Sequence, residues 1–154
     1  RKPIFDMEAY KLELRARLNP TSSALAASFE AARAKASRVV FAEGEQETVL
    51  RAAVSFRTSG YGEPLLVGRE EPILEAFRRI GVSDPENYPV HNSANSPLVP
   101  AMVDLLYARL QRQGYLRRDV QRMVNNERNV FAALLVEMGE ADAMVSGVTR
   151  HFHQ

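Results

Sequence analysis

An α/β fold is what this sequence predicts: three layers, α/β/α, with a mainly parallel sheet and N-terminal helices preceding it. Short apolar runs at Arg38 to Ala42, Glu63 to Gly68 and Ala143 to Val145 each meet a glycine at or near their end. Between them lie stretches with apolar residues at helical spacing. The resulting order of strand, helix, strand, helix, strand, helix, helix, strand suits parallel pairing through helical crossovers, which cover both faces of a sheet.

Asp6 is placed to cap a first helix, with Tyr10, Leu14 and Leu18 four apart and Asn19-Pro20 ending it. Thr21-Ser22-Ser23 restarts an alanine-rich helix through Ala36. Residues 1–37 thus read as a helical lead-in, and 38–154 as the α/β domain. The first strand, Arg38 to Ala42, runs into Glu43-Gly44-Glu45 and a helix with Val49, Ala52, Ala53 and Phe56 inward. The second strand begins at Glu63-Pro64, where proline is tolerated. A helix from Glu71 to Ile80 is capped by Gly81, and a short strand follows at Tyr88 to His91. Pro100 opens a long helix ended by Gly114. Its basic end, Arg109, Arg112, Arg117, Arg118 and Arg122, is read as cations complementing helix carboxyl termini, or else as an attractant for a phosphorylated cofactor. The last helix has Val130, Leu134 and Met138 four apart, with Phe131 and Leu135 beside them, and Gly139 stops it. Ala143 to Val145, apolar throughout, is expected to be buried on both faces.

The chain has 154 residues, 45% of them hydrophobic and 25% charged, enough for a sizeable core. A net charge of +1 gives no field toward nucleic acid or membrane, and the arginines lack interleaved aromatics. Absence of cysteine excludes disulfides, thiolate metal sites and a cysteine nucleophile, and suits a cytoplasmic protein. No apolar run approaches the roughly 20 residues that cross a bilayer. The chain starts at Arg1 without methionine and stops just past its most informative block, so it reads as a piece of a longer protein.

Two places are arranged to meet a ligand, since open α/β sheets bind outside the carboxyl ends of their strands. One is Gly44, at a strand–turn–helix junction expected to need a positive φ or a close backbone approach. Glu43, Glu45 and Glu47 oppose a phosphate there, and glutamates in a first helical turn satisfy the dipole themselves. Neither GxGxxG nor a Walker A pattern is present. The other is Ser146, Gly147, Thr149, Arg150 and His151, following directly from the last strand. Gly147 permits close approach, and Arg150 carries a planar donor fork suited to phosphate. Spacing alone fits a plain connector here equally well. His151 and His153 alternate about Phe152, but a metal site lacks a third ligand at suitable spacing, so none is assigned.

Two blocks carry a family resemblance. Met138-Gly139-Glu140-Ala141-Asp142-Ala143-Met144-Val145-Ser146-Gly147 resembles the MGEADGxVSG segment of the phosphate acetyltransferase and phosphate butyryltransferase family, with Ala143 where most members have glycine. Val39-Val40-Phe41-Ala42-Glu43-Gly44, followed by Arg51 and Ala52-Ala53, is similar to the family's first strand and helix. Together with the opening FDMEAY, these look closest to the transferase-like region at the C-terminal end of hybrid NADP-dependent malic enzymes. The resemblance spans most of Phe5 to Phe152 and is only general over Leu74 to Gly114.

It implies an α/β/α domain paired with a second domain, absent from this chain, with acetyl-CoA or coenzyme A in the cleft between them. It also implies an acetyl-CoA-sensing regulatory role in a homo-oligomeric malic enzyme, whose separate N-terminal domain holds NADP and a divalent metal. A working phosphate acetyltransferase, exchanging acetyl between coenzyme A and phosphate, and a structural oligomerisation module are the alternatives. Where true transferases carry small and hydroxyl residues after VSG, this chain has Val148, Arg150, His151 and Phe152, which disfavours transferase chemistry. No residue is assigned a catalytic role, and the chain alone is expected to be inactive.

Overall fold

A computed structural model describes residues 20–149 of the chain, together with residues 7, 10 and 11. Asp6, Leu14 and Leu18 of the expected first helix, and Arg150 and His151 at the other end, lie outside the described residues. The chain divides into two compact units, Arg1–Lys35 and Ala36–Gln154. In the first, helix α1 (Pro20–Ala34) ends two residues earlier than its alanine content suggests, and Leu25 and Phe29 stand about half exposed.

The second unit is built on four strands. These are β1 (Ser37–Phe41), β2 (Gly62–Val67), β3 (Val90–His91) and β4 (Ala143–Val145), in the order β3-β2-β1-β4, with every pairing parallel. Parallel neighbours require crossovers. Helices α2 (Glu47–Thr58) and α3 (Glu70–Ile80) connect β1 to β2 and β2 to β3. Helices α4 (Val99–Leu110), α5 (Arg117–Asn126) and α6 (Arg128–Glu137) carry the chain back from β3 to β4.

Alternation along the strands separates two cores. Phe41 and Leu66 pack on Val49, Leu50, Ala53, Ile73, Ala76, Phe77 and Tyr88. Val40, Ala42, Leu65 and Val67 pack on Met102, Val103, Val120, Val124, Phe131 and Leu135 on the opposite face. The expected three-layer α/β/α arrangement is therefore present.

Several expectations are corrected. The arginines 109 to 122 do not share one helix end, because Gly114, at φ 87°, separates α4 from α5. Arg109 instead pairs with Glu137, and Arg117 with Asp104. Ala52 is exposed rather than inward. Strand β4 is not buried: as the edge of this sheet it leaves Ala143 and Val145 exposed, with Val145 53% open. An apolar sequence reports only that a face can be covered, and among the described residues of the second unit no helix covers that side of β4.

Two contacts fix β4 in register. The Arg38 N–H donates to the Asp142 carboxylate (2.7 Å), and the Asp142 N–H donates back to the Arg38 carbonyl (2.8 Å). The Arg38 guanidinium also reaches the Gly139 carbonyl (2.8 Å). Gly139 stops α6 as expected, with its own N–H on Val136 O and the Glu140 N–H on Leu135 O. Among the described residues, no helix is long and apolar enough to cross a membrane.

Candidate functional site

From β1 the chain runs outward through β2 to β3, then returns to place β4 on the other side of β1. Between the carboxyl ends of β1 and β4 the winding therefore reverses, which is where open α/β sheets form their ligand crevice. Phe41 pairs with Val145, and the Ala42 N–H extends the ladder to Val145 O (3.0 Å). The next residues, Glu43 and Ser146 to Thr149, thus leave the sheet side by side.

Glu43 is the buried charge of the described residues, only 3% exposed. Its carboxylate accepts the N–H groups of Gly147 (3.1 Å), Val148 (2.8 Å) and Thr149 (2.7 Å), and the Thr149 hydroxyl as well. Burial pushes the Glu43 carboxyl up, but the bonds from the Thr149 hydroxyl and the three N–H groups outweigh it and hold the acid below its ordinary value.

Glu45 forms a second anchor. One oxygen accepts the Arg69 N–H and Nε (both 3.0 Å), and the other accepts Arg69 Nη2 (3.2 Å) and Arg128 Nη2 (2.9 Å). The Arg69 side-chain bond is the largest influence on its acidity. It acts against burial and is aided by the Arg69 N–H and by the charges of Arg128 and Arg69, so the carboxyl falls to about 2. Glu45 thereby ties the approach to α2 to the starts of α3 and α6. Of the three acids expected to satisfy a helix dipole, only Glu47 lies in the first turn of α2, where it pairs with Arg51.

The expected site residues take distinct places. Gly44 is buried, and its N–H is bonded to Val67 O (3.0 Å). A Cβ there would lie 2.9 Å from Val67 O and 3.1 Å from Leu66 Cβ, so it is close backbone approach, not positive φ, that calls for glycine. Gly147 is the converse: φ is 121°, with open space around it. Ser146 donates to Asn129 Oδ1 (2.7 Å), and Ser146, Gly147 and Thr149 are exposed on the crevice edge.

Beside them, Glu43, Asn126, Arg128, Asn129 and Thr149 line a polar recess of about 150 Å³. An apolar groove of about 250 Å³ lies along Phe41, Val49, Ala52, Val145 and Val148. Sequence reasoning missed Asn126, Arg128 and Asn129. Their signal was the polar run Asn126-Glu127-Arg128-Asn129 just before an apolar helix. Among the described residues no group of acids and histidines is placed to hold a metal ion.

The two recesses are smaller than the roughly 300–1,000 Å³ of ordinary small-molecule sites. Each recess by itself has room only for a small group, and a larger ligand needs a second wall.

Known proteins share this architecture. Residues 23–154 match the family model described as phosphate acetyl/butaryl transferase. The NADP-dependent malic enzyme of Rhizobium meliloti is 45% identical over 153 residues, 99% of this chain and 20% of that protein. A phosphate acetyltransferase of Staphylococcus aureus is 31% identical over 110 residues, 71% of this chain and 33% of that protein. The crystal structure of a phosphotransacetylase from Streptococcus pyogenes matches with a TM-score of 0.68 and 28% identity, covering 75% of this chain and 34% of that one. The chain thus spans about a fifth of the length of the malic enzymes it matches and about a third of the transferases.

Proposed function

Because the chain belongs to the phosphate acetyl/butaryl transferase family, we propose that it is the phosphotransacetylase-like regulatory domain of an NADP-dependent malic enzyme, and that it senses acetyl-CoA. The observation that carries this reading is the reach of the malic enzyme match: 99% of the chain at 45% identity, against 71% at 31% for the phosphate acetyltransferase.

In this reading malate is oxidatively decarboxylated to pyruvate in a separate domain that holds NADP and a divalent metal. The β1–β4 crevice supplies one wall of the acetyl-CoA site, with Ser146, Gly147 and Thr149 on its rim, and Arg150 and His151 are its proposed ligand contacts from the residues that follow. Gly44 shapes it from behind, through the close passage at Val67. The missing half of the transferase-like unit supplies the other wall. The whole protein is a cytoplasmic homo-oligomer without nucleic-acid or membrane partners.

A phosphate acetyltransferase is the second reading, supported by the Staphylococcus aureus relative. Val148, 58% exposed at the crevice, weighs against it, since bulk there crowds an acyl-phosphate position. A structural oligomerisation module is the third, and the polar recess at the switch point weighs against that one.

The test is an acetyl-CoA titration of malate-dependent NADPH formation by the full-length protein, for wild type and Arg150→Ala. Loss of one charged hydrogen bond should weaken the response by roughly 1.5–3 kcal/mol and leave basal malate oxidation unchanged. Superimposable curves would make Arg150 a bystander. No acetyl-CoA effect on wild type would remove the regulatory reading.

A further inference from the structure

We propose that Glu43 is a built-in anion that positions the crevice edge, its carboxylate filling a nest made by the N–H groups of Gly147, Val148 and Thr149 with the Thr149 hydroxyl. Successive N–H groups converging in a turn form a concavity for an anion, whatever its source. A carboxylate has two oxygens with about four acceptor sites, and here it meets four donors.

The direction of cause follows from burial. Glu43 is held at the end of β1, at 3% exposure, and β1 is registered to β4 by Arg38 and Asp142. Residues 147–149 are exposed, so packing does not hold the turn. The carboxylate does. These backbone donors are therefore closed to a ligand's phosphate, and the recess beside them adds Asn126, Asn129 and an Arg128 already bonded to Glu45. The contact is independent of the effector's identity, so it stands or falls apart from the acetyl-CoA reading.

Emptying the nest tests this by rescue. In Glu43→Ala of the full chain, amide exchange at 147–149 should quicken roughly tenfold or more, as for loss of charged hydrogen bonds. Added formate should slow it again saturably, and chloride at equal ionic strength should not. Wild type should respond to neither. Glu43→Gln keeps one acceptor oxygen and sets an NH2 against the donors of the other, so it should lose part of the protection, less than Glu43→Ala. Unchanged exchange in Glu43→Ala, a Gln variant that behaves as wild type, or a formate response equal in wild type and variant would each overturn the proposal. If Glu43→Ala does not fold, Thr149→Val removes one donor at constant shape. It should quicken exchange at 147–149, and no change there would equally overturn it.

Discussion

Gly44 offers the sharpest test of the packing between β1 and β2. A methyl group at Gly44 would meet Val67 O at 2.9 Å, Leu66 Cβ at 3.1 Å and Val67 N at 3.3 Å. These belong to β2, buried between both cores, so they cannot yield without disturbing the parallel ladder. Overpacking of this kind costs about 1–3 kcal/mol, and lengthening the Gly44–Val67 hydrogen bond (3.0 Å) adds about 0.5–1.5 kcal/mol. Gly44→Ala should therefore lose about 2 kcal/mol, and Gly44→Val more, because its two methyls extend toward the same wall. Backbone strain is not involved, since φ at Gly44 is not positive. Equilibrium urea unfolding is the assay. With a slope of about 1–3 kcal/mol per molar urea, the midpoint should fall by roughly 1 M. An unchanged midpoint for Gly44→Val would refute the close approach as the reason for glycine.

Two further outcomes follow from the same edge. Glu45, with its folded value at about 2 against an ordinary 4.5, contributes stability that is present above about pH 4.5 and lost as pH falls toward 2, worth about 1–2 kcal/mol after discounting for solvent around its partners. Thermal unfolding across that window should be flatter in Glu45→Gln than in wild type; Glu43, lowered in the same sense, keeps part of the slope, and identical profiles would remove Glu45 as an anchor. The 154-residue chain alone should not bind acetyl-CoA tightly, because one wall recovers too little free energy against the entropy of association; low-micromolar affinity by calorimetry would contradict this.

Much of the fold was written locally. Glycines at 81, 114 and 139 and the apolar periodicity of each helix depend on neighbours three or four residues away, so the alternation of strands and helices was legible. So was the edge after Val145, because a strand running into Ser146-Gly147 must leave the sheet there. The close passage at Gly44 was also foreseen in kind, as one of two reasons for glycine.

What only the tertiary structure decided lies in contacts between distant residues. Ala143-Met144-Val145 reads as a buried strand because side chains alone do not say which strands flank it; the order β3-β2-β1-β4 leaves it at an edge of this chain. Glu43 and Glu45 read as helix-start acids, yet one takes a turn more than a hundred residues on, and the other takes Arg69 and Arg128. Burial is what turns these charges into anchors: away from water each carboxylate must find its full set of donors, and only the assembled fold brings those donors within reach.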